Sequence, residues 1–573
     1  MTPDSLDPSA STRVAFDRRA FIGYLSALGL GGTLFPGVLW ARLQGAQEVT
    51  KEMIAQAEKI AGLEFSDEQR EAMVQGLNRN AEAYAQLRTV ELSNAVAPAI
   101  RFDVTVPGRP APASRPKAAR RARRTGPAVK RPANLEEVAF WPVTRLAELV
   151  RTRQVTSLEL TRLYLDRLKR HGPTLECVVT LTEERALEQA RQADAEIAAG
   201  RYRGPLHGIP WGAKDLLAVR GYPTTWGASP YRDQVIDMDA TVVRRLDEAG
   251  AVLVAKLTLG ALAQGDVWFG GKTRNPWNLE QGSSGSSAGS AAATVAGLVG
   301  FSIGTETLGS IVSPSTRCGA TGLRPTFGRV SRHGAMALSW TMDKIGPICR
   351  SVEDCALVLE AIHGPDGFDL TVHDAPFDWN PDTRLRDLRI GYLKSGFDQE
   401  REQKPFDDAV LDVLRSLGAE LVPFELPDTV PVDALRIILT AEAGAAFDEL
   451  TRSGRADLME NSSWPNTFRQ ARFIPAVEYI QANRARALLM AALDEAMRDL
   501  DVVVAPSYAR NLLFTTNLTG HPVVVLPNGF TEAGTPVSIS FVGKLWGEAE
   551  ALAAAKAYQD ATDFHLKRPP LFS

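Results

Sequence analysis

The stretch from Gln281 to Ser315 combines residue types that could support chemistry at a serine hydroxyl. Two Gly/Ser segments flank a run of small apolar residues, Ala291 to Ile303. Glycine permits positive φ and close backbone approach, so a serine in such a loop can lie where backbone N–H groups converge. Those N–H groups can stabilise an oxyanion, provided that a base takes the serine proton. The apolar run argues against a flexible linker and predicts two loops flanking a small-residue helix.

Two shorter motifs in this region suggest other chemistries. Gly285-Ser-Ser-Ala-Gly289 fits the G-x-S-x-G pattern with Ser287 at its centre, but that pattern requires a preceding strand, and residues 275–282 read as a loop. Gly270-Gly-Lys-Thr273 matches the end of a phosphate-binding loop, but Asp266 stands where the first glycine belongs and Pro276 blocks the helix that must follow. We therefore expect neither a Ser-His-Asp hydrolase nor a nucleotide site.

Five motifs in a fixed order resemble the amidase signature hydrolases. The serine-rich stretch is similar to the family loop GGSSGGSAAA followed by G-[ST]-D-x-G-G-S-I. The other four motifs are Gly208-Ile-Pro-Trp-Gly-Ala-Lys-Asp-Leu-Leu217, Lys272-Thr-Arg-Asn-Pro-Trp-Asn278, Cys318-Gly-Ala-Thr-Gly-Leu-Arg-Pro-Thr326 and Asn517-Leu-Thr-Gly-His-Pro522. The resemblance implies an α/β fold with a mixed β-sheet sandwiched by helices, and hydrolysis of a carboxamide or other C–N bond without a cofactor.

The resemblance also implies a Ser-Ser-Lys triad. Ser310, in the G-S-I segment, matches the nucleophile, Ser286 matches the serine that lies at a cis peptide and relays the proton, and Lys214 matches the base. Ser286 is preferred to the neighbouring serines because it lies 24 positions before Ser310 when the family loops are aligned without a gap. The backbone N–H groups that match the family's oxyanion hole belong to Thr307, Leu308, Gly309 and Ser310.

Lys214 must be neutral to act as a base. An unperturbed lysine has a pKa near 10.4, so holding it neutral at pH 7 costs about 4.6 kcal/mol. Burial beside hydroxyl groups instead of carboxylates meets that requirement. We therefore predict that Lys214 is buried and that the neighbouring Asp215 points away from it.

Three positions depart from the family pattern. Ala288 and Leu308 each replace a glycine, and Val312 replaces the arginine that commonly follows the Ser-Ile pair. The loss of that arginine predicts a weaker preference for substrates that carry a carboxylate. Pocket walls are expected near Ala263–Trp268 and within residues 430–480, but these segments do not identify the amide substrate.

Composition narrows the range of partners. The chain is 45% hydrophobic and 23% charged with a net charge of −4, which is typical of a soluble globular protein and does not favour nucleic acid as a partner. Its four cysteines form no C-x-x-C pair and its seven histidines are scattered, so no metal-ligand spacing is present. We predict buried cysteines, no metal, and a small-molecule or peptide amide as substrate.

Residues 1–47 resemble a bacterial twin-arginine export signal. Arg18 and Arg19 precede the apolar stretch Phe21–Trp40, which five glycines dilute and Pro36 interrupts. A membrane-spanning helix needs about 20 strongly apolar residues, so the stretch suits a span poorly. We expect export to the periplasm. No clean A-x-A cleavage site follows the apolar stretch, which leaves membrane association through an uncleaved signal as an alternative.

Three further segments follow the signal. Residues 48–106 carry apolar side chains at helical spacing and predict a helical N-terminal extension of two or three helices. Residues 107–133 are rich in Arg, Lys, Pro and Ala and predict a solvated linker, with contact to anionic lipid or nucleic acid as the alternative. Residues 134–573 form the predicted amidase domain.

Alternating helical and β-rich runs define the predicted core of that domain. Helices are expected through Leu146–Val150 and Ser157–Leu168, and the Thr156-Ser157 pair with Glu159 offers N-cap chemistry for the second. Continuous apolar runs predict strands covered on both faces. These runs are Val252–Ala255, Leu388–Tyr392, Val502–Ala505, Val523–Leu526 and Val537–Phe541.

Two alternatives to an exported amidase stay open. The family also contains the glutamine-hydrolysing subunit of a tRNA-dependent amidotransferase, against which the export signal argues because charged tRNA is cytoplasmic. The other alternative is a catalytically inactive binding homologue, against which the presence of Lys214, Ser286 and Ser310 argues.

Overall fold

The computed structural model describes residues 48–87, 89–90, 100, 129–459 and 461–573. The chain divides into two compact units, Met1–Glu82 and Ala83–Ser573. The predicted export signal and most of the predicted basic linker lie outside the described residues. Among the helices that are described, none is long and apolar enough to cross a membrane.

Two helices lie at the start of the described chain, in agreement with the predicted helical extension. They are α1 (Lys51–Ala61) and α2 (Asp67–Leu87). Helix α1 begins at Thr50, whose hydroxyl accepts from the backbone N–H of Met53, and ends at Gly62 with φ of 64°. Arg70 of α2 pairs with the buried Glu58 of α1 at 2.9 Å, which ties the two helices together.

A mixed sheet flanked by helices forms the body of the second unit, as predicted. The strands in the described residues are β1 (Val178–Leu181), β2 (Pro210–Lys214), β3 (Val252–Leu257), β4 (Val267–Trp268), β5 (Gly271–Lys272), β6 (Arg274–Asn275), β7 (Asn278–Gly282), β8 (Phe301–Glu306), β9 (Thr321–Arg324), β10 (Lys344–Cys349), β11 (Ile390–Leu393), β12 (Leu421–Phe424), β13 (Val502–Pro506), β14 (Val523–Phe530) and β15 (Pro536–Gly543). Eleven of them form the sheet, in the order β1-β3-β2-β8-β10-β9-β14-β15-β13-β11-β12. Strands β3, β2 and β8 run parallel, whereas β8 and β10 are antiparallel.

Helices connect most of these strands. They are α3 (Val143–Arg151), α4 (Ser157–Leu175), α5 (Glu183–Ala198), α6 (Thr241–Glu248), α7 (Ala288–Val295), α8 (Val312–Cys318), α9 (Val352–Ile362), α10 (Lys394–Phe397), α11 (Lys404–Ser416), α12 (Arg436–Ala446), α13 (Asp448–Arg452), α14 (Trp464–Ala471), α15 (Ala476–Ala496), α16 (Arg510–Thr519) and α17 (Glu548–Asp560). The predicted capping box is present: Thr156 accepts from the backbone of Glu159, whose side chain accepts from the backbone of Thr156. All four cysteines are buried and free, as expected.

Two local predictions were wrong. Residues 275–282 do not form a loop, because β6 pairs with β7 in a small hairpin. The run Ala291–Ile303 is not one helix, since α7 ends at Val295 and β8 begins at Phe301. Gly297, with φ of 67°, follows the end of the helix in the left-handed conformation that stops it. A Cβ on Gly300 would lie 2.7 Å from the carbonyl oxygen of Pro210, so glycine lets the chain enter the sheet beside β2.

The apparent phosphate-binding motif has a structural role. Its residues Gly271 and Lys272 form β5, which pairs with β4. The chain then continues into β6 and β7 and not into a helix. A phosphate-binding loop requires a helix at this point, so this segment lacks the geometry of that motif.

Candidate active site

Lys214 ends β2 and is fully buried. Its Nζ lies 2.8 Å from Ser286 Oγ, 3.0 Å from Ser287 Oγ and 2.9 Å from Thr305 Oγ1. Among the described residues it forms no ion pair. Burial lowers the pKa of Lys214 to about 7, although the negative charges of Asp343 and Glu306 oppose the shift. The lysine thus has the hydroxyl-rich, carboxylate-poor surroundings that a neutral amine requires.

Asp215 points away from Lys214, as predicted. Its Oδ1 lies 2.6 Å from Nζ of Lys256, and both side chains are fully buried. The other carboxylate oxygen accepts from the backbone N–H of Thr225 at 2.9 Å. These contacts satisfy the carboxylate without involving Lys214.

Ser286 follows a cis peptide bond from Gly285, in agreement with the resemblance. The neighbouring Ser287 also contacts Lys214, but its hydroxyl donates to the backbone carbonyl of Thr305 at 3.1 Å. Since a serine hydroxyl carries a single proton, Ser287 has none left to give to the lysine. Within this cluster, only Ser286 and Thr305 retain a hydroxyl proton that a neutral Lys214 can accept.

Ser310 lies on the turn between β8 and α8. The backbone N–H of Ser287 donates to the Ser310 carbonyl at 3.1 Å, which holds the two serine loops side by side. Ser310 is 7% exposed against 1% for Ser286 and is therefore the more accessible of the two serines. In the described part of the chain no hydrogen bond joins Ser310 Oγ to Ser286, a contact of the kind that often tightens only when substrate binds.

The turn that carries Ser310 requires a glycine at position 309. Gly309 has φ of 82°, and a Cβ there would lie 2.8 Å from Ser313 Oγ. Leu308, which replaces a family glycine, packs beside a cluster that includes Phe514 and Leu518. The structure therefore places the four residues of the predicted oxyanion hole, Thr307 to Ser310, on one tight turn.

Glu306 anchors the far end of this turn. Its Oε2 accepts from the backbone N–H groups of Ile311 and Val312 at 2.8 and 2.9 Å. Its Oε1 accepts from Arg324 at 2.7 Å and from Asn517 at 2.8 Å. Burial alone would raise the pKa of Glu306, but Arg324 and these hydrogen bonds lower it to about 2. The carboxylate is thus held ionised beneath the loop that carries Ser310.

Sequence reasoning missed this anchor, although Arg324 and Asn517 belong to two of the recognised motifs. The signal available was an acidic residue inside an otherwise uncharged Gly-Thr-Glu-Thr segment. Val312, which replaces the family arginine, is buried in an apolar cluster with Leu512 and Val523. The position supplies packing and no charge.

The two predicted wall segments contact each other. Ser463 donates from Oγ to Gln264 Oε1 at 3.0 Å. Trp464 donates from Nε1 to the carbonyl of Leu262, just before the first segment, at 3.1 Å. The segment continues to Gly265, whose carbonyl oxygen would lie 1.8 Å from a Cβ on Gly285. Ala263 and Thr305 line one small cavity. Residues 260–266 therefore lie between the helical region around Trp464 and the loop that carries Ser286.

Comparisons with known proteins concern the family and the fold of the chain. The family model described as Amidase matches residues 159–552. Among curated proteins, a Glutamyl-tRNA(Gln) amidotransferase subunit of Moorella thermoacetica is 34% identical over 490 residues, covering 76% of this chain and 99% of that protein. The corresponding subunit of Roseiflexus sp. is 36% identical over 472 residues, covering 73% and 96%. Among solved structures, native peptide amidase from Stenotrophomonas maltophilia matches with a TM-score of 0.68 and 31% identity, covering 76% of this chain and all of that one.

Proposed function

The chain belongs to the amidase signature family, and from this premise we propose that it hydrolyses a carboxamide through an acyl-enzyme formed on Ser310. The observation that carries the proposal is the position of Lys214, fully buried with its Nζ 2.8 Å from Ser286 Oγ. A buried lysine without an ion pair among the described residues is costly to keep charged, so the neutral amine is favoured. That is the form a general base needs.

Acylation starts when Ser310 Oγ attacks the amide carbonyl carbon. The Ser310 proton passes to Ser286 Oγ while the Ser286 proton passes to Lys214 Nζ. The carbonyl oxygen becomes an oxyanion that accepts hydrogen bonds from the backbone N–H groups of Thr307 to Ser310. Collapse of this intermediate breaks the C–N bond, and the proton on Lys214 returns through Ser286 to the leaving amine.

Deacylation uses the same groups with water as the nucleophile. Water gives a proton through Ser286 to Lys214 and attacks the ester carbonyl carbon. The second intermediate then expels Ser310, which recovers its proton by the reverse route. The products are a carboxylic acid and an amine, or ammonia where the substrate is a primary amide, and no external cofactor takes part.

Labelling with a fluorophosphonate, which traps activated serines, tests this proposal without knowledge of the substrate. We expect the wild-type chain to be labelled and Ser310→Ala to stay unlabelled, because the turn offers no second nucleophile. For the same reason, turnover of an amide substrate by Ser310→Ala should fall to near background. Ser313→Ala, three residues further on, is the matched control and should react like wild type. A Ser310→Ala protein that keeps a tenth or more of the wild-type activity would refute the assignment.

A second candidate is the glutamine-hydrolysing subunit of an amidotransferase. The curated relatives carry an amidotransferase description at 34 and 36% identity and favour this candidate. The proposed export of residues 1–47 favours a free amidase instead. The free amidase is supported if the purified chain releases ammonia from peptide, amino-acid or aryl amides at a rate that no partner protein raises. The second candidate is supported if the chain releases ammonia from glutamine only when a captured partner protein is present.

A further inference from the structure

Asp343 is a partly buried carboxylate that the proposed mechanism does not use. It directly precedes β10 and accepts from the Thr307 hydroxyl through Oδ1 at 2.5 Å. Its Oδ2 accepts from the backbone N–H groups of Leu338 and Ser339 at 2.8 and 3.0 Å. The residue is therefore fixed by one loop while it holds the first residue of the predicted oxyanion turn.

The same carboxylate lies on the Lys214 side of β8. Thr305, Thr307 and Asp343 line one small cavity, and Thr305 Oγ1 is itself 2.9 Å from Lys214 Nζ. Glu306 follows Thr305 in the strand, so its side chain points to the opposite face, where Arg324 binds it. Of the two carboxylates that act on Lys214, Asp343 thus shares its side of the strand.

We propose that Asp343 is a positioning residue that holds Thr307 at the start of the oxyanion turn and directs a negative charge toward the amine of Lys214. The inference rests on the proposed roles of Lys214 and Ser310. During acylation Lys214 gains a proton, and a facing negative charge stabilises the resulting ammonium group. The hydroxyl clamp keeps the backbone N–H groups of the turn aimed at the position where the oxyanion forms.

The other charged groups near Asp343 are engaged or disfavoured as ions. Arg332, on the cavity wall, pairs with Asp369 at 2.9 Å. Lys344 follows Asp343 in the chain, and burial holds its pKa well below the ordinary value. Burial also raises the pKa of Asp343, whereas the hydrogen bonds from Thr307, Leu338 and Ser339 favour its ionised form.

Two variants separate the charge from the clamp. Asp343→Asn removes the charge and keeps an oxygen that can accept from Thr307. Thr307→Val removes the hydroxyl and keeps the charge. The readout is the second-order rate of fluorophosphonate labelling from pH 5 to 9, with circular dichroism to verify folding. The labelling rate follows the reactivity of Ser310 and needs no identified substrate.

In Asp343→Asn, the fall of the labelling rate on the acid side of its pH profile should move about 1 pH unit lower. The reason is that Lys214 loses a nearby negative charge that favours its protonated form. Thr307→Val should keep the wild-type pH dependence with a maximum rate about tenfold lower, since the turn is less well placed. The inference would be overturned if the labelling rate of Asp343→Asn fell over the same pH range as that of wild type. It would also be overturned if Thr307→Val reached the same maximum labelling rate as wild type. If Asp343→Asn does not fold, Thr307→Val still decides the clamp. An unlabelled wild-type chain would instead refute the proposed function itself.

Discussion

Acidification should inactivate this enzyme by protonating Lys214. Burial lowers the pKa of that lysine to about 7. At pH 7 about half of the molecules then hold the neutral amine, compared with about 4 in 10,000 for a lysine with an ordinary pKa of about 10.4. Burial in this hydroxyl-lined site therefore raises the population of active base by about 1,000-fold.

The pH profile follows from that fraction. Between pH 8 and 7 kcat/KM should begin to fall, and below about pH 6 it should fall about tenfold for each unit, because one proton inactivates the base. In Lys214→Ala, kcat/KM at neutral pH should be about 100- to 10,000-fold lower than in wild type. Raising the pH should partly rescue this variant, because hydroxide can take the proton that the lysine no longer accepts.

Ammonia release from a primary amide, or the fluorophosphonate labelling rate, measures both effects. Lys272→Ala, on strand β5, serves as the control and should keep the wild-type profile. A wild-type rate that is independent of pH from 5 to 9, together with near-normal activity of Lys214→Ala, would remove Lys214 from the mechanism and with it the triad.

Two further predictions concern the anchor and the N-terminus. Arg324→Met leaves Glu306 buried without its cation and should lower the free energy of unfolding, measured in urea, by about 3–5 kcal/mol. Arg384→Met, at an exposed ion pair, is the control and should change that free energy by less than about 1 kcal/mol. Equal effects of the two variants would show that Glu306 does not depend on Arg324. Residues 1–47 fused to a folded reporter should direct its export, and Arg18→Lys with Arg19→Lys should hold it in the cytoplasm; unchanged export of the double variant would exclude the twin-arginine route.

The sequence predicted the core elements well where their pattern is continuous. Runs such as Val502–Ala505 and Val523–Leu526 are apolar throughout because these strands are covered on both faces, and the structure buries them fully. The helix that begins at Ser157 was also predictable, since Thr156 and Glu159 stand at the two positions of a capping box. Local patterns of this kind depend on neighbours close in the chain.

Sequence reasoning failed at one local hairpin and at one place where a distant contact shapes the chain. The hairpin of β6 and β7 lies in a segment with few strand-forming residues, and pairing between the two short strands replaces the predicted loop. The helix predicted through Ile303 ends at Val295, ahead of Gly297 with its positive φ, and the strand that follows enters the sheet beside β2, about 90 residues earlier in the sequence. The hairpin is a local contact, whereas the pairing of β8 with β2 is not visible in a local window of sequence.

The sequence by itself determined which side chains are available for the chemistry, since the motifs around Lys214, Ser286 and Ser310 can be recognised from residue type and order. Only the tertiary structure decided that the pKa of Lys214 is lowered, because that shift depends on complete burial among hydroxyl partners from two other segments. It also decided that Asp215, adjacent in sequence, is directed to Lys256, while Asp343, which is 129 positions away, contributes its charge to Lys214. Electrostatic interaction depends on distance in space and on the surrounding dielectric, and neither is written in the order of the residues.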